Sequence, residues 1–281
     1  MGLGQGLLLR VAKRWIAGTD SASAIKEALK ANQRRMSVVL NYLGEEISDP
    51  SIADAHMREY LSVQKAISDS GIKGCVSVKL TQFGLLTDET GAIKRLAEVI
   101  GRSEALGQML WIDMESSRVL EKTLQIYLDV LPSHPMVGLA LQSYMRRSAK
   151  DLETILGKGA KIRLVKGAYK EPPDLVFNNR AEATENYSKL METLFKKGDD
   201  FVIATHDPKL IDQAKELANS GKARFEFQML KGIQDGLKDK LVQAGYKVGE
   251  YLPYGSQWYA YSKRRISEHP SNILLLLRSL F

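Results

Sequence analysis

Four side chains near the C-terminal end stand at a spacing that could grip an acid. If residues 256–268 are helical, Tyr261, Arg264, Arg265 and Glu268 fall at i, i+3, i+4 and i+7 and share one face. Two guanidiniums beside a phenol can hold a carboxylate bidentately while a ring packs on the ligand body. A solvated helix with an ordinary Arg–Glu pair would read the same way. The run Arg163-Leu-Val-Lys-Gly-Ala-Tyr-Lys-Glu-Pro172 ends a β-like stretch in a lysine, a glycine and free backbone N–H groups, where a phosphate could approach. Glycine after a strand can also serve only to turn the chain. Thr205-His206-Asp207-Pro208 could be a site, or plain capping by Asp207 before Pro208 at the first helical position. No second histidine lies at ligand spacing from His206, so no metal site is expected. Lys79 and Asp113 suit substrate binding, Schiff-base chemistry or a structural ion pair.

These residues need a frame, and the hydrophobic pattern supplies one. From about Ser37 onward, short apolar runs alternate with amphipathic stretches. The strand candidates are Ser37–Leu43, Cys75–Lys79, Met109–Asp113, Val137–Gln142, Ile162–Lys166, Phe201–Thr205, Phe225–Met229 and Tyr246–Tyr251, apolar enough to be buried on both faces. Helical segments between them include Ile52–Ser68, Ala92–Ala105, Ser117–Val130, Ala183–Lys196 and Pro208–Ala218. Asp49 before Pro50 is a helix-start signal. The alternation predicts parallel pairing and a (β/α)₈ barrel, with an open doubly wound sheet as the other arrangement. Polar residues gather where the strands end: Asn41 and Glu45, Lys79, Asp113 and Glu115, Gln142, Arg163 and Lys166, Thr205 and His206, Gln228, Tyr251. In a barrel those ends converge on one rim, where active sites are built.

Composition narrows the function classes. The chain has 281 residues and a formal net charge of +7. Seven basic and two acidic residues between Met1 and Met36 account for +5 of that charge, so no basic surface for nucleic acid is expected on the rest. Cys75 is the single cysteine, which excludes a disulfide within the chain. The longest apolar run, Ile273 to Leu277, is too short to span a bilayer, and no secretory signal is expected; the reading is cytoplasmic.

Taken together, the motifs resemble those of proline dehydrogenases, in particular the short monofunctional form. The segments that carry the resemblance are Tyr42-Leu-Gly-Glu45, Val78-Lys-Leu-Thr-Gln82, Ile112-Asp-Met-Glu115, Leu141-Gln-Ser-Tyr144, Arg163 through Pro172, Ala204-Thr-His-Asp-Pro208, Arg224-Phe-Glu-Phe-Gln228 and Tyr251 through Glu268, in the family's order. The resemblance implies a distorted (β/α)₈ barrel that binds FAD, with its last helix over the C-terminal rim. It implies hydride transfer from C5 of L-proline to flavin N5, giving 1-pyrroline-5-carboxylate, with electrons passed on to a quinone-type acceptor.

Roles follow residue by residue from the resemblance. Arg264 and Arg265 match the carboxylate clamp, with Lys79 as a further cation, and Tyr251 and Tyr261 match rings that pack on the pyrrolidine. Asp113 and Arg163 match residues beside the reactive middle of the isoalloxazine. Met114, Gln142, the Lys166-Gly167-Ala168 backbone, Thr205 and His206 match flavin contacts. Glu45 matches a gate carboxylate that pairs with the first clamp arginine, and Glu268 is grouped with it. Asn41 stands where the family pattern usually has Asp. A flavin carries the redox chemistry itself, and a permanently charged arginine can stabilise the electron density it gains.

Two other functions fit parts of the pattern: a barrel aldolase or lyase using Lys79 or Lys166 as a Schiff-base amine, and a non-catalytic subunit of the same fold. Residues 1–36 are read as a basic helical leader to a barrel domain spanning 37–281. Leu8, Val11, Trp15 and Ile16 recur at helical spacing, with Arg10, Lys13 and Arg14 on another face. Such a helix could lie on an anionic membrane surface, or pack against the barrel.

Overall fold

The computed structural model describes residue 9, residues 12–219, residue 221 and residues 223–268, with side chains as far as residue 263. Eight strands, β1 (Ser37–Tyr42), β2 (Gly74–Val78), β3 (Leu110–Ile112), β4 (Val137–Gln142), β5 (Lys161–Val165), β6 (Asp200–Ala204), β7 (Arg224–Leu230) and β8 (Val248–Tyr254), form a closed barrel in sequence order. Every pairing is parallel, and the β1–β8 pairing seals the cylinder, which removes the open-sheet alternative. Helices alternate with the strands: α1 (Ser21–Gln33), α2 (Pro50–Asp69), α3 (Glu89–Ala105), α4 (Ser117–Val130), α5 (Ser148–Leu156), α6 (Arg180–Lys197), α7 (Pro208–Asn219), α8 (Asp235–Gln243) and α9 (Trp258–Glu268).

Local chemistry explains the boundaries. Asp49 accepts from the Ser51 backbone N–H at 2.8 Å and Pro50 opens α2, while Asp207 accepts from Lys209 N at 3.1 Å as α7 begins at Pro208. The strands are core on both faces, β4 being buried at every position. β8 departs from the expected span: it starts two residues later and continues through Pro253 to Tyr254. Pro253 has no N–H to give a ladder. Its carbonyl instead accepts from Ala17 N at 2.7 Å, and pairing with Asn41 and Tyr42 carries the strand onward. Tyr251 therefore sits within β8, short of its end.

Ala24, Ala28 and Ala31 form the buried stripe of α1, packed with β1 and β8. The stretch before it is bound to the barrel mouth. Ala12, Ile16, Leu43, Trp258 and Tyr261 form one apolar cluster, with Leu9 and Trp15 against it. Trp15 Nε1 donates to Ser262 Oγ at 3.0 Å, and Gly255 N donates to Gly18 O at 3.1 Å. Leu8, Arg10 and Val11 lie outside the described residues. In what is described, Trp15 and Ile16 pack inward, and Lys13 and Arg14 are exposed.

Candidate active site

Lys79 and Asp113, just past the ends of β2 and β3, meet Arg163 and Tyr251 from within β5 and β8 at one point, so Arg163 stands at the centre of its strand and not at the strand end expected. Asp113 follows β3 directly, its backbone N–H donating to Val78 O of β2 at 2.8 Å. Its Oδ2 accepts from Lys79 Nζ at 2.7 Å and from the Tyr251 hydroxyl at 2.7 Å. Its Oδ1 accepts from Ser77 Oγ at 2.8 Å and is paired with Arg163 Nη2. The Arg163 guanidinium lies 5.0 Å from the Trp111 ring centroid and 5.5 Å from that of Tyr251, and its Nη2 also donates to Ser77 Oγ at 2.9 Å.

Charge follows from this geometry. Burial would raise the Asp113 pKa, but Lys79 and Arg163 overcome it and hold the carboxyl well below its usual range. Burial likewise opposes charge on Lys79, yet Asp113, with Glu45 and Glu115 nearby, keeps its ammonium well above the ordinary lysine range. Within the bonded group two cations, Lys79 and Arg163, share the single Asp113 carboxylate, and a site holding two cations suits an anionic substrate. A Schiff-base lysine needs the opposite, a neutral amine, so the lyase reading is not favoured at Lys79.

The remaining rim residues surround this cluster. Lys166 donates to Asp207 Oδ2 at 2.9 Å, and Thr205 Oγ1 accepts from Asp207 N at 3.1 Å. His206 Nε2 accepts from Leu230 N at 2.8 Å, which occupies the lone pair a metal would use. Met114 is buried, and its carbonyl accepts from Gln142 Nε2 at 3.3 Å. Gly167 has φ +104°, and a Cβ there would lie 2.2 Å from the Tyr144 ring, so only glycine fits this turn. Ala168 continues the loop, and Glu45 Oε1 accepts from the Tyr169 hydroxyl at 3.2 Å. Tyr261 is buried in the cluster with Ile16 and Trp258, and it acts electrostatically on the Tyr251 phenol. Arg264, Arg265 and Glu268 fall within α9, but their side chains lie outside the described residues.

Several side chains in this arrangement carry no role in the motif reading. Ser77 and Trp111 precede Lys79 and Asp113 by two positions, the strand period that puts them on the same face. Asn41 donates through Nδ2 to Ser77 O at 2.9 Å and to the Tyr60 hydroxyl at 3.2 Å. An aspartate could not donate to that carbonyl, so the amide has its own work here. Glu115 accepts from Thr81 N at 3.1 Å and from Thr81 Oγ1. Burial pushes its carboxyl up to about 7, despite Lys79 and the Thr81 bonds.

Two observations fit a flavin on this rim. Gln142 Oε1 is buried without a hydrogen-bond partner, an acceptor suited to a ligand that brings its own N–H. The left-handed Gly167 turn leaves backbone beside a lysine, the pattern that receives phosphate. A cavity of about 360 Å³ opens at the opposite end of the barrel, lined by Lys73, Lys161, Asp200 and Lys247 among others. It opens at the strand starts and reaches inward to Trp111 and Gln228, which also meet the Arg163 guanidinium, whereas the active sites of such barrels are built at the opposite rim.

Comparison with known proteins agrees with this geometry. The family model described as Proline dehydrogenase matches residues 24–273. The chain is 33% identical over 287 residues to Proline dehydrogenase 2 of Bacillus subtilis (strain 168), covering 98% of this chain and 95% of that protein. It is 34% identical over 278 residues to Proline dehydrogenase of Deinococcus radiodurans, covering 96% and 90%. Among solved structures, proline utilization A from Bdellovibrio bacteriovorus, inactivated by N-propargylglycine, superposes with a TM-score of 0.84 at 24% identity. That match covers 91% of this chain and 32% of the larger one, and it speaks to fold. A closed barrel, a flavin-compatible rim and near-full-length relatives lead to one conclusion: the chain belongs to the proline dehydrogenase family, an oxidoreductase family that acts on CH–NH groups and is flavin-dependent.

Proposed function

We propose that this protein oxidises L-proline to 1-pyrroline-5-carboxylate with FAD as cofactor. The observation that carries the reading is the Asp113 cluster, which fixes two cations and a phenol on a rim with a buried, unpartnered amide oxygen. Gln142, Met114, Lys166, Gly167, Ala168, Thr205 and His206 would hold the cofactor, and FAD when bound supplies the hydride acceptor. Arg163 presents a permanent charge toward the acceptor side of the site. Lys79 draws in the substrate carboxylate, and Arg264 and Arg265 on α9 clamp it. Tyr251 and Tyr261 give the pyrrolidine a surface, while Glu45 and Glu268 gate the mouth. Asp113 stays ionised throughout and keeps Lys79, Tyr251 and Arg163 in place. Tyr251, its own pKa raised well above the ordinary phenol value by burial, remains a hydrogen-bond donor.

The electrons pass to a quinone-type acceptor. Among the described residues no helix is long and apolar enough to cross a membrane. The reading is a cytoplasmic protein whose contact with an anionic membrane face is electrostatic, through the exposed Lys13 and Arg14. Turnover of L-proline with an artificial electron acceptor tests the assignment, and Arg265→Met tests the clamp. Loss of a desolvated charged hydrogen bond costs about 2–5 kcal/mol, so kcat/KM should fall roughly thirtyfold or more with flavin content retained. A fall of less than about threefold would remove Arg265 from the substrate site.

A further inference from the structure

Inside the barrel, a second polar assembly touches the catalytic cluster. Glu226 and Gln228 stand two positions apart on β7 and so share its inner face. Glu226 Oε1 accepts from Gln228 Nε2 at 2.9 Å, and its Oε2 accepts from Ser37 Oγ at 2.9 Å. At its other end, Gln228 Oε1 faces Arg163 Nη1 at 3.5 Å. Across the sheet, Gly249 of β8 pairs with Gln228. A Cβ at Gly249 would lie 2.5 Å from Glu226 Oε1 and 2.9 Å from Ser37 Oγ. Its φ is not in the left-handed region, so this glycine makes room for the carboxyl group rather than serving a turn.

A glutamine amide can present either end to a neighbour. If Gln228 were reversed, its NH₂ would meet the Arg163 guanidinium, donor against donor. We propose that Glu226 is a positioning residue for the redox reaction: by taking the Gln228 NH₂ it turns the amide oxygen toward Arg163. The guanidinium is then held at one end by Gln228 and at the other by Asp113 and Ser77, with Trp111 and Tyr251 packed against it. A supporting residue of this kind sets the geometry of a charged group without touching the reactants. The inference rests on the assignment of Arg163 to the flavin side of the site.

The test compares flavin-loaded wild type with Glu226→Leu, Glu226→Gln and Gly249→Ala. Leucine removes the acceptor, and alanine at 249 displaces the carboxyl group without removing it. Glutamine at 226 keeps an oxygen that can receive the Gln228 NH₂. Glu226→Leu and Gly249→Ala should each bind reduced flavin about tenfold more weakly relative to oxidised flavin, a fall of about 30 mV in two-electron midpoint potential. Their flavin reduction should slow about tenfold, while the Kd for cyclopentanecarboxylate, a ring acid lacking the reacting nitrogen, stays within about twofold. Glu226→Gln should remain within about threefold of wild type in reduction rate. Unchanged potentials in both disruptive variants would overturn the proposal. So would a loss of flavin content and competitor binding in step with the potential, the mark of a merely structural role. A Glu226→Gln protein as impaired as Glu226→Leu would show that charge, not amide orientation, matters. If wild type itself holds no flavin or is not reduced by proline, the functional reading fails, and that result is read in wild type alone.

Discussion

Asp113 holds the cluster together because four donors meet on its two oxygens. Removing it takes from both Lys79 and Arg163 the carboxylate to which each is bonded, whereas removing Lys79 leaves the Asp113–Arg163 pair intact. Breaking a buried pair by deleting one partner costs about 3–5 kcal/mol. Asp113→Ala should therefore destabilise the protein to chemical denaturation by about that amount, and Lys79→Met by clearly less; equal losses would contradict the arrangement. Glu115 gives a pH signature. Its folded value of about 7 exceeds the ordinary 4.5, so the folded protein binds the extra proton between those limits. Stability then falls as pH rises through that window, because the unfolded chain ionises first. Glu115→Gln should flatten the slope between pH 5 and pH 7, the difference being on the order of 1–3 kcal/mol, read from denaturant midpoints at the two pH values. Parallel curves for the two proteins would mean that Glu115 does not titrate there. At this scale the sequence shows Lys79 and Asp113 because charged residues at strand ends stand out, and Arg163 because a charge inside an apolar run does, although it sits at the centre of β5 and not at its end. Ser77, Trp111 and Glu226 lie deeper in apolar strands, where a polar or aromatic residue looks like core until its neighbours across the barrel are known.

The last strand and the last helix show what local pattern leaves out. Pro253 argues against a strand, and the continuation of β8 depends on β1 and on Ala17, both remote in sequence. The leader has helical spacing, but its docking depends on contacts with Trp258, Tyr261 and Ser262 some 240 positions later, a separation seen in the Trp15–Ser262 bond. That bond ties the leader to the helix bearing Arg264 and Arg265. A typical buried hydrogen bond contributes about 1 kcal/mol, roughly fivefold in an equilibrium. Trp15→Phe should raise the KM for proline about threefold to fivefold, and Trp15→Ala further, with flavin content unchanged, as measured by steady-state kinetics and absorbance. An unaltered KM in Trp15→Ala would show that the leader does not set the position of α9.

The molecule as a whole divides its labour by depth along the barrel. Apolar strands close the cylinder, charged and hydroxyl groups occupy the rim, and Glu226 with Gln228 extends that polar network inward. The regular β–α alternation makes this architecture legible from sequence, since parallel strands separated by helices have few ways to close. The Asp113 cluster, the unpartnered Gln142 oxygen and the Gly167 turn give the barrel its chemistry. The proposed activity comes down to one event, electron transfer from proline into a bound flavin. Purified protein should show the visible absorbance of oxidised flavin, and anaerobic addition of L-proline should bleach it to completion with one substrate consumed per flavin. Protein without that absorbance, or a bound flavin that stays oxidised under excess L-proline, would contradict it.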